Sequence, residues 1–421
     1  MGKKKDPRTV AVNAGIATDS AFGAVTPPIY LSSTFSFAAF ELPRAHDYSR
    51  TANPSRDILG NTLAELEGGA GAVVVSSGMA AVDLVLSLLG PDDHIVAPHD
   101  CYGGTHRLLS LRRDRKQFDV LFIDQNDAEA LAEALEQFPA LLLIETPSNP
   151  LMRIVDIQAI VERAKAAGAK VAVDNTFLSP ALQRPMHLGA DFVIHSTTKY
   201  LNGHSDVVGG AVIASDKADA EALAAWANVC GVTASPFDCY LTLRGLRTLF
   251  PRVERQQITA AKIAEYLQAH PAVAAVHYPG LSSHPGHALA RSQQSGFGGM
   301  LSFELAGGVG AVRCFVDSLS VFTLAESLGG IESLVAHPAT MTHLGMGAEA
   351  RRVAGITDSL VRLSVGLEAE TDLIDDLKAA LAATVAFGSV ADGSMTNPSA
   401  SQPAAAKKSL PVGYAHLNEQ D

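Results

Sequence analysis

Lys199 stands in the run HSTTKY, directly after the apolar stretch DFVIH. A lysine can condense with an aldehyde, and hydroxyls beside it can hold a phosphate. Ser196, Thr198 and Lys199 therefore suit an aldehyde cofactor that carries a phosphate group. A lone S-x-T-K is more often a solvated loop, so this pattern needs partners elsewhere in the chain. Asp174 is one such partner, because it ends the apolar run VAVD upstream of Lys199. In open α/β sheets ligands bind outside the carboxyl ends of the strands. A carboxylate there can pair with a protonated ring nitrogen and keep the ring an electron sink. A helix N-cap is the ordinary alternative for such an Asp.

Three further motifs fit the same chemistry. In SSGMAAV, Gly78 lies between a strand-like and a helix-like run, where backbone N–H groups and the helix dipole would cradle a phosphate. In DCYGGT, Tyr102 offers a ring to stack on a cofactor and a hydroxyl to assist proton transfer. Asn149 in ETPSNP and Arg362 in LVRLSVG would together receive an α-carboxylate, since a guanidinium binds it bidentately. Each has a bland alternative: an ordinary turn, a core or surface Tyr, a structural Asn or Arg. Competing sites are weaker. GGAGAVV and GGVGAV do not match G-x-G-x-x-G, and no G-x-x-x-x-G-K-[ST] occurs. Pro285 and Gly286 separate His284 from His287 and break the helix that would align two metal ligands, so no metal site is expected.

The elements that must position these residues are legible as an alternation. Apolar runs at 72–75, 94–97, 118–123, 141–144, 170–173 and 191–195 read as strands. Helical segments such as MAAVDLVLSLL and IQAIVERAKAAG lie between most of them. This pattern predicts an α/β fold with a mainly parallel, doubly covered sheet. Residues 1–62 read as an irregular arm lying on another subunit, 63–256 as a large cofactor domain, 257–387 as a smaller α+β domain and 388–421 as a disordered tail.

The 421 residues fit about two or three domains, and 47% hydrophobic content excludes wholesale disorder. A net charge of −12 disfavours nucleic acid as a partner. Four cysteines are too few for a disulfide scaffold and point to a reducing compartment. MGKKKDP is followed by no apolar region, and no run approaches 18 apolar residues, so no secretory signal or membrane span is expected. A cytoplasmic location follows as the expectation.

The ordered set DYSRTANPSRD, SSGM, DCYGGT, ETPSNPL, VDNTFLSP, HSTTKYLNGHSDVVGG, LRGLRTL, LAESLGGIESLVAHPATMTH and LVRLSVGLE resembles the Cys/Met-metabolism family of pyridoxal-phosphate enzymes. The likeness runs from the arm to near residue 380 and is strongest to bacterial members that join an acylated homoserine to cysteine as cystathionine. It implies the type I fold of aspartate-aminotransferase-like subunits, pyridoxal 5'-phosphate as cofactor, amino-acid substrates, and a homotetramer of two tight dimers with shared sites. It implies Lys199 as the aldehyde-holding lysine, Asp174 on the ring nitrogen and Tyr102 on the ring face. Gly78, Met79, Ser196 and Thr198 would bind the phosphate, with Tyr48 and Arg50 reaching the neighbouring subunit's cofactor. Asn149, Ser327 and Arg362 would surround the substrate carboxylate, and Glu326 would favour a distal amino group. γ-Replacement in methionine biosynthesis is the activity implied first. γ-Cleavage of cystathionine and sulfhydrylation of the acylhomoserine follow, and a non-catalytic protein on the same fold is the distant alternative.

Overall fold

The computed structural model describes residues 5–392. The aliphatic runs form β1 (Gly71–Val75), β2 (His94–Pro98), β3 (Asp119–Ile123), β4 (Leu141–Glu145), β5 (Lys170–Asp174) and β6 (Phe192–Ser196). A further strand, β7 (Gly210–Ala214), completes a seven-stranded sheet ordered β1-β7-β6-β5-β4-β2-β3. Neighbours from β3 to β6 are parallel, while β7 runs antiparallel to both β6 and β1. The sheet is mainly parallel, as expected, but it is mixed. β7 escapes the sequence pattern because GAVIA begins on the second glycine of a pair, Gly209–Gly210, that reads as a breaker. Space demands the second glycine: a Cβ on Gly210 would lie 2.1 Å from the Ser77 carbonyl oxygen. β7 can therefore start only where bare backbone slides past the turn that opens the helix Gly78–Leu86.

β4 is buried along its whole length, with helices closing both faces of the sheet. One face carries Leu84, Leu86, Leu109 and Phe118. The other carries Ile144, Ile157, Ile160 and Val161 on one side and Leu59, Leu63 and Leu246 on the other. Burial of each such side chain contributes about 1.5–3 kcal/mol.

After the helices Lys217–Cys230, Pro236–Leu246 and Leu249–Gln268 comes a second sheet. Its strands are β8 (Val273–His277), β9 (Met300–Leu305), β10 (Thr323–Leu324), β11 (Leu334–Ala336) and β12 (Leu360–Ser364), ordered β10-β11-β12-β9-β8. Ile263, Leu267, Phe303, Phe315, Leu373 and Leu377 form its core against three helices. Phe303→Ala would open a cavity there at a cost of about 3–5 kcal/mol.

The N-terminal segment is less irregular than its sequence implies. Asp6 caps a helix Pro7–Asn13, and Asn53 caps a helix Pro54–Glu67 by accepting from Ser55 N. The NPS run is thus a helix start, an Asn cap followed by Pro in the first turn. Between these helices Phe22, Leu31, Phe37 and Phe40 are exposed. The C-terminal helix reaches Asp392, past the residue-387 boundary expected for the tail, and the rest of that tail lies outside the described residues. Among the described residues no helix is long and apolar enough to cross a membrane.

Candidate active site

The parallel register sets Glu145 of β4 opposite Asp174 of β5 at the carboxyl ends of their strands. β6 ends beside them at Ser196, and the chain then turns through Thr198 and Lys199. These ends form the floor of a cavity of about 280 Å³. Its opposite wall comes from the C-terminal part of the chain: Arg362 from β12, Glu326 and Ser327 from the segment between β10 and β11, and Thr342 from the segment after β11. Every residue named from sequence lines this cavity except Tyr48 and Arg50.

Lys199 Nζ donates to Ser327 Oγ at 2.8 Å. Burial, and then the Arg362 charge, lower its amine to about 8, with Glu326 opposing. The amine therefore gives up its proton, and becomes nucleophilic, far more readily near neutral pH than an ordinary lysine does. Ser327 adopts φ +88°, a region Ser rarely enters. That turn sends its hydroxyl to Lys199 and its carbonyl to Arg362 Nη2, 2.9 Å away.

Arg362 is buried on β12, and its Nη1 donates to Asn149 Oδ1 at 2.8 Å. Burial lowers it to about 10, so it stays cationic at neutral pH. Among the described residues no carboxylate forms an ion pair with it. A buried guanidinium facing a cavity with only neutral acceptors calls for an anion from outside. Asn149 and Arg362, named together from the sequence, are thus in direct hydrogen-bond contact.

The phosphate end is built from close backbone approach. Ser77 caps the helix Gly78–Leu86, its side chain accepting from Ala80 N at 3.0 Å. A Cβ on Gly78 would lie 2.7 Å from Ser196 Cβ, so only glycine lets the helix start meet β6. Thr198 Oγ1 accepts from Gly209 N at 3.0 Å, which fixes its hydroxyl beside this helix start. The result is a helix N-terminus flanked by two hydroxyls, a natural oxyanion receptor.

Asp174 accepts from Thr176 N at 3.0 Å. Burial raises its carboxyl above the ordinary range, with Thr176 hydrogen bonds opposing. A cation in the cavity would reverse that rise. Tyr102 projects its half-exposed ring over the cavity, and burial followed by Glu326 raises its phenol, so it is neutral at physiological pH. A Cβ on Gly104 would lie 2.5 Å from that ring, so Gly104 leaves the ring its place. A phosphate-sized cradle, an amine of lowered basicity and a buried carboxylate thus surround one cavity, and they fit pyridoxal phosphate.

Tyr48 and Arg50 lie elsewhere. Arg50 Nη1 donates to Asn228 O at 2.9 Å, and its guanidinium sits 5.5 Å from the Tyr48 ring centre. Other residues at the cavity were missed in sequence. Glu145 lies in ETPSNP but shows no local signal of its role. Thr176 donates its backbone N–H to Asp174 and accepts from Ser196 N through Oγ1 at 2.9 Å. Behind the cavity, fully buried His195 meets Glu67 Oε1 at 2.7 Å, and Asn175 Nδ2 donates to that same oxygen. This pair ties the helix Pro54–Glu67 to β5 and β6.

Comparison with known proteins accords with this geometry. The model of the "Cys/Met metabolism PLP-dependent enzyme" family matches residues 8–382. The chain belongs to this family. Its cofactor is therefore pyridoxal phosphate, and its fold is the type I fold of these enzymes. It is 56% identical to the Escherichia coli "Cystathionine gamma-synthase" over 376 residues, 89% of this chain and 97% of that one. It is 46% identical to a Lactococcus lactis "Cystathionine beta-lyase", covering 89% of this chain and 98% of the relative. A crystal structure of cystathionine gamma synthase from Xanthomonas oryzae pv. oryzae in complex with cystathionine superposes with TM-score 0.91 and 58% identity, over 91% of this chain and 100% of that one.

Proposed function

We propose that the chain replaces the acyl group of O-succinyl- or O-acetylhomoserine with cysteine, giving cystathionine, the activity of a cystathionine γ-synthase in methionine biosynthesis. The observation that carries this reading is the buried Arg362, which among the described residues forms no ion pair, beside the Lys199 amine, with the Glu326 carboxylate at the rim. The relatives named above support it.

When bound, pyridoxal phosphate supplies an aldehyde and a ring that stores negative charge. Lys199 Nζ is the amine that holds the aldehyde. The Lys199 amine, oriented by Ser327 Oγ, would take the proton from substrate Cα and carry protons between substrate atoms. Asp174 sets a negative charge against the ring nitrogen, and Tyr102 covers the ring face. Gly78 and Met79 through their backbone, and Ser196 and Thr198 through hydroxyls, hold the phosphate. Arg362 and Asn149 bind the α-carboxylate. Glu326 faces the distal ammonium of cysteine or cystathionine, a contact that a bare thiol such as sulfide cannot make.

Tyr48 and Arg50 serve the phosphate of a second copy, and the chain assembles as a homotetramer of dimers. The exposed apolar side chains of residues 14–52 support this, since a lone chain would leave them in water. A cytoplasmic location fits the four free cysteines. The 46% identity to a protein named as a lyase favours one second reading, cleavage of cystathionine.

The test compares acylhomoserine plus cysteine with cystathionine alone. Cystathionine formation faster than cystathionine breakdown is expected. Faster breakdown would overturn the synthetic reading in favour of the lyase one.

A further inference from the structure

Glu145 and His343 lie on different domains and have no role in the reaction as described above, yet both grip the same two loops. Glu145 is buried at the end of β4. Its Oε2 accepts from Tyr102 N at 2.8 Å and its Oε1 from Asn149 N at 2.9 Å. His343 is buried in the segment after β11. Its Nε2 meets the Asn149 carbonyl oxygen at 2.9 Å, and its Nδ1 meets Thr342 Oγ1 at 2.8 Å. A carbonyl cannot donate, so Nε2 carries the proton and Nδ1 accepts from Thr342. Burial, and then Arg362, lower this imidazole to about 3, which keeps it neutral in that tautomer. The His343 ring also meets the Tyr102 ring edge-on, with centroids 6.3 Å apart at 90°. A Cβ on Gly103 would lie 2.8 Å from the Thr342 carbonyl oxygen, so the two segments are in direct contact.

The consequence for Asn149 is specific. Glu145 holds its N–H, His343 holds its C=O, and Arg362 takes its side-chain oxygen. All that remains is the side-chain NH₂, a donor facing the cavity. The same two residues set Tyr102: the Glu145 carboxylate accepts from the Tyr102 backbone N–H, and the His343 ring meets the Tyr102 ring.

We propose that Glu145 and His343 are positioning residues that act as one clamp. They fix Asn149 and Tyr102 relative to each other, and so orient the carboxylate-receiving amide over the ring-covering side chain. Selectivity for a carboxylated amine depends on this clamp. The proposal rests on the reading of Asn149 and Arg362 as the carboxylate receptor.

The experiment titrates the holoenzyme with L-alanine and with ethylamine, an amine lacking the carboxylate, following the visible spectrum of the bound cofactor. Glu145→Gln keeps shape but presents one N–H donor with another donor, so one of the two backbone bonds is lost. L-Alanine affinity should fall roughly tenfold while ethylamine affinity changes less than about twofold, since only the carboxylate depends on Asn149. His343→Leu should do the same, and His343→Gln, which keeps an N–H donor, should recover most of the loss. Equal weakening of both amines, or of neither, overturns the clamp. Arg362→Lys separates the two levels. If it erases the preference for L-alanine while Glu145→Gln and His343→Leu do not, the clamp alone fails. If it leaves the preference intact, the carboxylate receptor fails and the clamp with it. Should Glu145→Gln not fold, the His343 pair carries the same readouts.

Discussion

The cavity and the arm are opposite solutions to one problem. The cavity is organised within a single chain: strand ends bring Asp174, Ser196 and Lys199 together, the segment between β10 and β11 adds Ser327, and β12 adds Arg362. Its polar groups are gripped by partners from distant elements. The arm has the reverse character. Tyr48 is 46% exposed, Arg50 donates to the Asn228 carbonyl oxygen, and the apolar side chains nearby face outward. A sheet can close a site on itself because its register is cooperative and buried. A segment without regular pairing needs another surface to give it a place. The division is therefore between chemistry organised within one chain and the inter-subunit role proposed for the arm.

The largest expected effect tests the cavity side. Lys199→Ala should lower kcat by roughly 10⁴ and abolish the visible band of bound cofactor. Retention of both would break the assignment of chemistry to this cavity. Asp174→Asn should follow with a loss of roughly 10²–10³ while the circular-dichroism spectrum stays unchanged, because a neutral amide cannot hold the ring-nitrogen proton. Near-normal kcat would remove Asp174 from the chemistry.

The arm is tested by mixing chains. Arg50→Ala should weaken cofactor binding by roughly tenfold through loss of one charge-assisted contact. At a cofactor concentration between the dissociation constants of wild type and Arg50→Ala, co-assembly of Arg50→Ala with Lys199→Ala chains should raise activity above the sum of the separate variants, because half the assemblies are mixed and each mixed pair has one intact site. Activity no greater than the sum of the separate variants would return the arm to its own subunit and erase the contrast.

The smallest effect is thermodynamic. The unfolded chain holds the Lys199 proton up to about 10.5, whereas the folded chain releases it at about 8. Burial of the charged amine thus costs stability below about 8, and the cost is relieved as pH rises toward about 10.5. Cofactor-stripped wild type should gain stability over that window relative to Lys199→Met, by at most about 3 kcal/mol in urea unfolding. Parallel pH curves for the two proteins would show that the amine is not desolvated by the fold.

How much of this was legible varies with the range of the interaction. Lys199, Asp174 and Gly78 could be read because each sits at a strand end whose chemistry is local. Glu145 could not, because its role depends on Tyr102, 43 residues away. His343 was harder still, since its carbonyl partner lies 194 residues distant. β7 was hidden because its starting glycine answers to Ser77, a residue of another element. The helix beginning at Pro54 was hidden for a different reason: Asn-Pro-Ser serves equally as a turn and as a capped helix start.

By itself the amino-acid sequence determined the alternation of strands and helices, the residue types at their junctions and, through its ordered motifs, the family and its cofactor. Local spacing suffices for these because strand and helix periods are properties of neighbouring residues. Only the tertiary structure decided that the two sheets face one cavity, that Arg362 lies buried with no ion-paired carboxylate among the described residues, that Lys199 is lowered to about 8, and that Glu145 and His343 share two loops. Burial and proximity across the chain create those properties, and neither exists until the chain has packed.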